Sequence, residues 1–254
     1  LLICILQAGF AYTPDVWEKG VRPDYSNIDS YVRECGSKCG KTPQEVAEKI
    51  TAFAESDLEK ARAVFDWLSF YISYDTTYSV YSAEGAFKNK KSVCQGYADL
   101  FTIMATHVGL DAWTVTGNAK DYFSSKGRKY NGTSGHAWNI VSLADREILV
   151  DSTWGAGYVN GNTFHRSFDD EWFDTHPAVF IFSHLPANTE YELLDTLIYE
   201  DEFWMLPFVN PILVKCGINP REIFHYFLTH PESNSFTVYS KFSFADDNGF
   251  KILE

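Results

Sequence analysis

The stretch Ser92-Val-Cys-Gln-Gly-Tyr-Ala98 places a cysteine at the start of an amphipathic segment. Apolar residues follow it at helical spacing: Tyr97, Phe101, Met104 and Val108. Gly109 stands where a helix commonly ends, so the pattern predicts a helix that begins at Cys94. Because unpaired N–H groups at a helix N-terminus stabilise an anion, Cys94 is a candidate thiolate nucleophile. The small residues Gly96 and Ala98 would let a substrate approach the thiol.

A candidate base follows the cysteine at the start of a predicted strand. His136 lies in Gly135-His-Ala-Trp138, with a small residue on either side, and the alternation over 136–143 predicts the strand. A buried histidine on a sheet is more often structural than catalytic, so the interpretation depends on a partner. Asp151 supplies one, because it ends the next predicted strand, 147–151.

Counting along the predicted hairpin tests whether the two side chains can meet. If Ala144-Asp145 is a two-residue turn, Asp151 lies opposite Trp138. His136 is two residues from Trp138 and therefore points to the same face, about 7–8 Å from Asp151 at the backbone. A three-residue turn would move Asp151 to the opposite face. The count makes the pair possible without proving it.

Upstream of the cysteine, capping signals predict helices. Thr42-Pro-Gln-Glu45 and Ser56-Asp-Leu-Glu59 each pair an N-cap residue with a glutamate three positions further on. Ser82 is placed to cap a shorter helical segment. A strand predicted over 112–117 follows the nucleophile helix. Helices followed by an antiparallel run of strands predict an α+β architecture.

Three motifs resemble, in order, the reactive motifs of the transglutaminase-like superfamily: Ser92-Val-Cys-Gln-Gly-Tyr-Ala98, Gly135-His-Ala-Trp-Asn139 and Val150-Asp-Ser-Thr-Trp154. Tyr71-Ile-Ser-Tyr-Asp75 is similar to the segment that precedes the nucleophile in these proteins, and the resemblance covers roughly residues 45–185. Phe180-Ile-Phe-Ser-His-Leu-Pro186 and Leu206-Pro-Phe208 resemble the kyphoscoliosis-peptidase branch. The resemblance implies a papain-like, transglutaminase-core fold.

The resemblance also implies a role for each reactive residue. Cys94 attacks a peptide or carboxamide carbonyl, His136 takes and later returns the proton, and Asp151 fixes the tautomer and orientation of the imidazole. The backbone N–H of Cys94 is one oxyanion donor, and Tyr74 is the candidate for the second. Other candidate contacts with the substrate are Gln95, Trp138 and Trp154. Two tryptophans near a sheet are, however, more often part of the core.

The expected activity is hydrolysis of a peptide or carboxamide bond through a thioester acyl-enzyme, with a protein or peptide substrate and no cofactor. One alternative keeps the acyl-enzyme but passes the acyl group to an amine, as a protein-glutamine transglutaminase does. Hydrolysis ranks first because the sequence has no acidic loop comparable to those of the calcium-dependent crosslinking enzymes. A second alternative is a catalytically silent protein-interaction module on the same fold.

The composition excludes several other function classes. The 254 residues carry a formal net charge of −13, and the longest basic run is Lys88-Asn-Lys-Lys91, so a nucleic-acid partner is not expected. Hydrophobic residues make up 45% of the chain, which is ample for a packed core. The sequence contains neither a phosphate-binding glycine loop nor an apolar stretch long enough to span a bilayer.

Cysteine and histidine spacing does not predict a metal site. Cys35 and Cys39 are spaced C-x3-C, which favours a small disulfide loop over a zinc site. Three histidines lack the spacing of metal ligands: His165, His176 and His184. His107 lies near the end of the nucleophile helix, where a structural histidine is common. Cys216 lies in an apolar stretch and is expected to be a buried thiol.

Four segments are predicted along the chain. Residues 1–11 resemble the remnant of a signal peptide, which predicts a secreted, cell-surface or periplasmic protein. Residues 12–41 form an N-terminal extension, and residues 42–185 form the transglutaminase-like core. Residues 186–254 form a C-terminal extension whose last alternating stretch, ending at Phe244, is interpreted as the start of a truncated β-sandwich.

Overall fold

The computed structural model describes residues 23–120, 135–215 and 218–230. Its first part is mainly helical: α1 (Ser26–Cys35), α2 (Pro43–Ile50), α3 (Asp57–Tyr71), β1 (Ser73–Tyr74), α4 (Ala83–Asn89), β2 (Lys91–Ser92) and α5 (Cys94–His107). The two short strands β1 and β2 pair in parallel and place the residues after α3 beside the start of α5.

The second part of the chain begins with the strands of the main sheet. The elements are β3 (Asp111–Ala119), β4 (Gly135–Ser142), β5 (Glu147–Val150), α6 (Ser152–Ala156), the hairpin β6 (Gly157–Asn160) and β7 (Thr163–Arg166), α7 (Pro177–Phe180) and β8 (His184–Pro186). Short helices follow: α8 (Glu200–Met205), α9 (Ile212–Lys215) and α10 (Pro220–Thr229). Single 3-10 turns lie at Asp170–Trp172 and Thr189–Glu192.

The predicted capping residues are confirmed. The Thr42 hydroxyl accepts the N–H of Glu45 in α2, the Ser56 hydroxyl accepts that of Glu59 in α3, and the Ser82 hydroxyl accepts that of Gly85 in α4. The helix predicted from Cys94 begins at that residue, and Gly109, with φ of 87°, follows its last turn. Local side-chain to backbone bonding therefore sets these helix boundaries.

The main sheet is antiparallel in the order β5-β4-β3-β8. Asn139 pairs with Val150 and Ser142 with Glu147, so the predicted two-residue turn and its register are confirmed. The β4–β5 ladder stops at Val150, because the N–H of Asp151 bonds to the carbonyl of Trp172 at 2.9 Å. Asp151 therefore caps α6 instead of pairing with Trp138.

Helix α5 packs between the sheet and the upstream helices, which is the α+β arrangement predicted from the sequence. Its apolar face enters a buried cluster with α3 and the inner faces of β4 and β5. The Asn139 side chain locks the two layers together, since its amide donates to the Ala98 carbonyl at 2.9 Å and to the Thr102 hydroxyl at 3.0 Å. This packing fixes the start of α5 relative to the start of β4.

The residues after β8 form helices and turns that pack on α7 and β8. Phe182, Leu185, Phe203 and Phe227 belong to one buried apolar cluster, so the two sides of the predicted boundary at 185 share a core. The strand predicted to end at Phe244 lies outside the described residues, and the β-sandwich stays a prediction.

A disulfide joins Cys35 and Cys39, whose Cα atoms are 5.4 Å apart, and closes the turn after α1 as the spacing predicted. Residues 1–11 and Cys216 lie outside the described residues, so the export signal and the buried thiol stay predictions. Among the residues that are described, no helix is both long and apolar enough to cross a membrane.

Candidate active site

Three elements bring the predicted reactive residues together. Cys94 is the first residue of α5, His136 is the second residue of β4, and Asp151 caps α6. The His136 Nε2 atom lies 2.8 Å from Asp151 Oδ2, with the two side chains 8% and 0% exposed. The His136 ring also interacts with the Cys94 thiol and lowers its pKa, and because Nε2 bonds to Asp151, Nδ1 is the nitrogen left for the sulfur. Among the described residues, Cys94 is the free cysteine.

The environment of Cys94 favours the thiolate. The residue before its helix, Val93, supplies no side-chain cap, so no side chain of Val93 competes with an anion for the first N–H groups of α5. Burial acts to raise the pKa of Cys94. The hydrogen bond and charge of His136, together with the N–H of Ala137, outweigh burial and lower that pKa.

The environment of His136 favours the imidazolium. Burial acts to lower the pKa of His136, but the adjacent Asp151 carboxylate and the Cys94 hydrogen bond raise it to about 10. The opposite shifts of Cys94 and His136 favour a thiolate–imidazolium pair, which is the reactive state of a cysteine nucleophile.

Asp151 accepts four hydrogen bonds, two at each carboxylate oxygen. The N–H groups of Thr153 and Trp154 donate to Oδ1 at 2.8 and 3.0 Å. His136 and His184 both place Nε2 at Oδ2, at 2.8 and 3.1 Å. Burial acts to raise the pKa of Asp151, but the charge and hydrogen bond of His136 and the hydrogen bond of His184 hold it far below its usual range.

His184 is a site residue that the sequence interpretation missed. Its spacing in the sequence speaks only against a metal ligand. In the structure it is the first residue of β8, and its Nε2 atom lies 3.1 Å from Asp151 Oδ2. Burial lowers the pKa of His184 to about 4, so the ring is neutral. The signal available in the sequence was the Phe180–Pro186 motif, but its pairing with β3 was needed to place the side chain.

His136, Asp151 and His184 also satisfy the distance criterion for a metal site, since their ligand atoms lie within 4.8 Å of one another. The two Nε2 atoms that would have to face an ion are already at hydrogen-bonding distance from one carboxylate oxygen. Hydrogen bonding alone therefore accounts for the arrangement.

Tyr74 and Gln95 flank the thiol. Tyr74 is partly buried, and burial together with the nearby Cys94 raises its pKa, so its hydroxyl stays protonated and can donate. The Gln95 amide donates instead to Asp99 Oδ1 at 2.9 Å, one turn along α5. The described contacts thus agree with an oxyanion role better for Tyr74 than for Gln95, and both roles stay predictions.

The two tryptophans differ in exposure. Trp138 is 1% exposed and lies beneath the site, with its ring 6.1 Å from the His136 ring and 5.1 Å from the His184 ring. Burial leaves Trp138 almost no surface for a substrate. Trp154 is partly exposed and lies 5.5 Å from the His136 ring, and its role as a wall of the site stays a prediction.

The loop on the other side of Cys94, residues 73–82, is held by one carboxylate. Asp75 accepts the N–H groups of Thr77, Ser79 and Val80 at 3.1, 2.8 and 2.9 Å, and both hydroxyls of that turn. This loop is called the loop flank below, and the group of His136, Asp151 and His184 is called the sheet flank.

Gly96 lies where α5 meets the loop flank. A Cβ atom at this position would lie 2.0 Å from the Ser92 hydroxyl oxygen and 3.0 Å from the Tyr81 carbonyl oxygen. The expectation that Gly96 is small in order to admit a substrate is therefore wrong: its missing side chain lets the helix start approach the loop.

Comparison with known proteins places part of this chain in a known superfamily. Residues 44–155 match the family model described as the transglutaminase-like superfamily. Human and mouse kyphoscoliosis peptidase are each 35% identical to this chain over 178 residues, which are 67% of this chain and 27% of the relative. Hillarin of Drosophila melanogaster is 23% identical over 213 residues, covering 77% of this chain and 26% of the relative.

The chain therefore spans about a quarter of the length of these curated relatives. One solved structure, titled as a crystal structure of a TGase, has a TM-score of 0.36 and 17% identity, covering 59% of this chain and 37% of that one. A structural similarity at this level does not establish a shared function. The family match and the relatives show that residues 44–155 are a domain of the transglutaminase-like superfamily, in a chain that resembles the kyphoscoliosis-peptidase branch.

Proposed function

We propose that this chain is a cysteine-nucleophile acyl-transfer enzyme that hydrolyses peptide or carboxamide bonds, with Cys94 as nucleophile, His136 as acid and base, and Asp151 as the residue that orients the imidazole. One observation carries the proposal. The Cys94 thiol at an open helix N-terminus contacts a histidine whose other nitrogen lies 2.8 Å from a buried carboxylate.

In the first half of the proposed reaction, the Cys94 thiolate attacks the carbonyl carbon of the substrate and forms a C–S bond. The carbonyl oxygen becomes an oxyanion that the N–H groups at the start of α5 and the Tyr74 hydroxyl can receive. The His136 imidazolium gives its Nδ1 proton to the leaving nitrogen, the C–N bond breaks, and a thioester and a free amine result.

In the second half, neutral His136 takes a proton from water, and the hydroxide oxygen attacks the thioester carbon. The C–S bond then breaks, which returns the thiolate to Cys94 and the imidazolium to His136 and releases the carboxylic acid. Throughout both halves Asp151 stays ionised, because its four hydrogen bonds and the charge of His136 stabilise the carboxylate.

Hydrolysis is preferred over amine transfer for a modest reason. The two relatives that are 35% identical to this chain over 178 residues are named as peptidases. An amine in place of water would complete the same thioester chemistry as a transglutaminase, so the acceptor has to be tested directly.

The first experiment measures the reactivity of Cys94 with iodoacetamide between about pH 4 and pH 9, followed by mass spectrometry of the modified peptide. We expect wild type to alkylate rapidly well below the ordinary thiol pKa of about 8.5, and His136→Ala to move the profile upward. Cys94→Ala gives the background from other cysteines. An unperturbed profile that ignores His136→Ala would reject the enzyme and favour the interaction module.

The second experiment identifies the acceptor. Wild type and Cys94→Ala are incubated with a peptide library, with and without a primary amine such as a lysine-containing peptide. Cleaved or deamidated products that require Cys94 would support hydrolysis. Amide-linked adducts that form at the expense of those products would reassign the chain to amine transfer.

A further inference from the structure

We propose that His184 is a positioning residue of this site: its Nε2–H holds Oδ2 of Asp151 in the orientation that His136 requires. The inference rests on the proposed function and deepens it by adding a fourth residue. His184 does not reach the thiol and acts only through Asp151. Its position in β8, 33 residues beyond Asp151, separates it from the three reactive motifs.

The first step concerns which donors bond to each oxygen of the Asp151 carboxylate. Backbone N–H groups of α6 hold Oδ1, and neither donor titrates. Oδ2 is shared by His136 and His184 at 2.8 and 3.1 Å. Without His184, the only described side chain on Oδ2 would be His136, whose charge changes in every proposed cycle. His184 therefore keeps Oδ2 in place when the His136 bond weakens.

The second step is the direction of the His184 ring. Because the ionised Asp151 carboxylate only accepts, Nε2 donates to it, and Nδ1 then accepts from the Ser183 hydroxyl at 2.7 Å, a hydroxyl that also lies 3.1 Å from the Phe180 carbonyl oxygen. Four aromatic rings enclose the imidazole: Phe180 at 3.9 Å, Trp154 at 4.5 Å, Trp138 at 5.1 Å and Trp172 at 5.5 Å between centroids. A ring packed on several sides and bonded at both nitrogens has one orientation.

The third step is the charge of His184. Its titratable neighbours are Asp151 and His136, whose ring centroid lies 5.3 Å away. A second positive charge there would repel the His136 imidazolium and compete for the same carboxylate. The apolar enclosure keeps His184 neutral, so it supplies a hydrogen bond without that competition.

The pairing of the strands brings His184 close to Asp151. His184 pairs with Ala119 at the edge of the sheet, and Gly117 separates β8 from His136 on β4. A Cβ atom at Gly117 would lie 2.8 Å from the Trp138 ring and 2.1 Å from the Leu185 carbonyl oxygen. The missing side chain leaves room for the aromatic enclosure.

The test compares His184→Phe with His184→Gln. Phenylalanine fills the aromatic enclosure but removes the donor, whereas the glutamine amide can place an N–H near the former Nε2. We expect His184→Phe to lower the Cys94 alkylation rate about tenfold near pH 6 and to shift the acid limb of the profile upward. His184→Gln should restore most of the rate. Thermal melting of both variants reports folding separately.

A purely structural role would change the melting temperature without changing the pH profile of the folded thiol. If the pH profile of Cys94 alkylation is shifted below that of an ordinary thiol in wild type and is the same in His184→Phe, the role of His184 is rejected and the proposed function stands. An unperturbed wild-type profile would overturn the proposed function and the role of His184 with it.

A second measurement decides the case if His184→Phe does not fold. In wild type labelled with ¹⁵N-histidine, the His184 nitrogens should keep the Nε2–H tautomer and constant shifts from about pH 5.5 to pH 8. An Nδ1–H tautomer, or titration of His184 within that range, would overturn the inference.

Discussion

The sheet flank and the loop flank of Cys94 are each anchored by one aspartate, but the partners of the two carboxylates come from different parts of the chain. Backbone and hydroxyl donors within five residues hold Asp75 on the loop flank, together with the Lys91 ammonium, 16 residues away, at 3.2 Å from Oδ1. His136 and His184, 15 and 33 residues away, hold one oxygen of Asp151 on the sheet flank. Most donors to the loop-flank carboxylate are thus local, whereas both side-chain partners on the sheet flank come together only in the folded domain.

The two carboxylates also owe their low pKa values to different causes. Burial acts to raise the pKa of both. The hydroxyl and N–H groups of Thr77 and Ser79 outweigh it at Asp75, and the charge of His136 does so at Asp151. Asp75 therefore fixes a backbone shape, while Asp151 sets the protonation of a reactive residue. This difference shows that a carboxylate near a nucleophile can accept several hydrogen bonds without taking part in the reaction.

The largest loss of activity is expected from a substitution on the sheet flank. Asp151→Asn removes the charge that raises the pKa of His136 and turns one oxygen acceptor into an N–H donor opposite a ring N–H. We expect turnover of the best library peptide to fall by about a thousandfold or more. The matched variant Asp75→Asn also removes a charge but should lose less than about tenfold, because Asp75 bonds to the loop and to Lys91 and not to the His136 imidazole. Equal losses in both variants would contradict the distinction between the two flanks.

Much of the site could be predicted from the sequence because its signals are local. The caps at Thr42, Ser56 and Ser82 depend on residues three positions away, and the hairpin register follows from a two-residue turn. That register made the His136–Asp151 contact possible, and the resemblance of the three motifs predicted it. In the structure it forms although Asp151 has already left the ladder to cap α6.

The contact of His184 could not be predicted in the same way. Its partner strand is β3, which precedes it by more than sixty residues, so no turn or spacing fixes the pairing. Gly96 was misinterpreted for a similar reason: a small residue beside a nucleophile admits either a substrate or a neighbouring backbone. Only the position of the Tyr81 carbonyl distinguishes the two.

The next largest effect tests whether the loop flank contributes to chemistry at all. Tyr74→Phe removes the one hydroxyl that we expect to receive the oxyanion, and loss of such a donor lowers kcat by about a hundredfold. Tyr81→Phe, at a side chain that is 54% exposed, is the matched control and should stay near wild type. Steady-state kinetics should show the loss in kcat with little change in KM. A Tyr74→Phe enzyme with wild-type kcat would limit the loop flank to a structural role.

A smaller effect is expected where the two flanks meet at the start of α5. Gly96→Ala would push the Ser92 hydroxyl and the Tyr81 carbonyl away, which should lower the free energy of unfolding by roughly 1–3 kcal/mol. Gly135→Ala is the control, because a Cβ at Gly135 meets nothing within 4 Å. Chemical denaturation measures both. If the two variants are equally stable, the close approach of loop and helix is not a packing constraint.

The smallest expected effect is the pH dependence of the loop flank itself. The pKa of Asp75 is lower in the folded chain than in the unfolded chain, where it is about 3.9. Its stabilising contribution is therefore complete above that value and disappears as the pH falls below it. Asp75→Asn should be less stable than wild type by roughly 1–2 kcal/mol near pH 7, and the difference should narrow toward pH 3.

Urea denaturation of wild type and Asp75→Asn at the two pH values measures this difference. Asp145→Asn is the matched control, because Asp145 is exposed in the β4–β5 turn and should change stability by less than about 0.5 kcal/mol at either pH. A difference for Asp75→Asn that stays constant with pH would mean that the loss comes from the shape of the asparagine amide. In that case the negative charge of Asp75 would not stabilise the loop flank. Asp75 and Asp151 would then share a hydrogen-bonding pattern but not a dependence on charge.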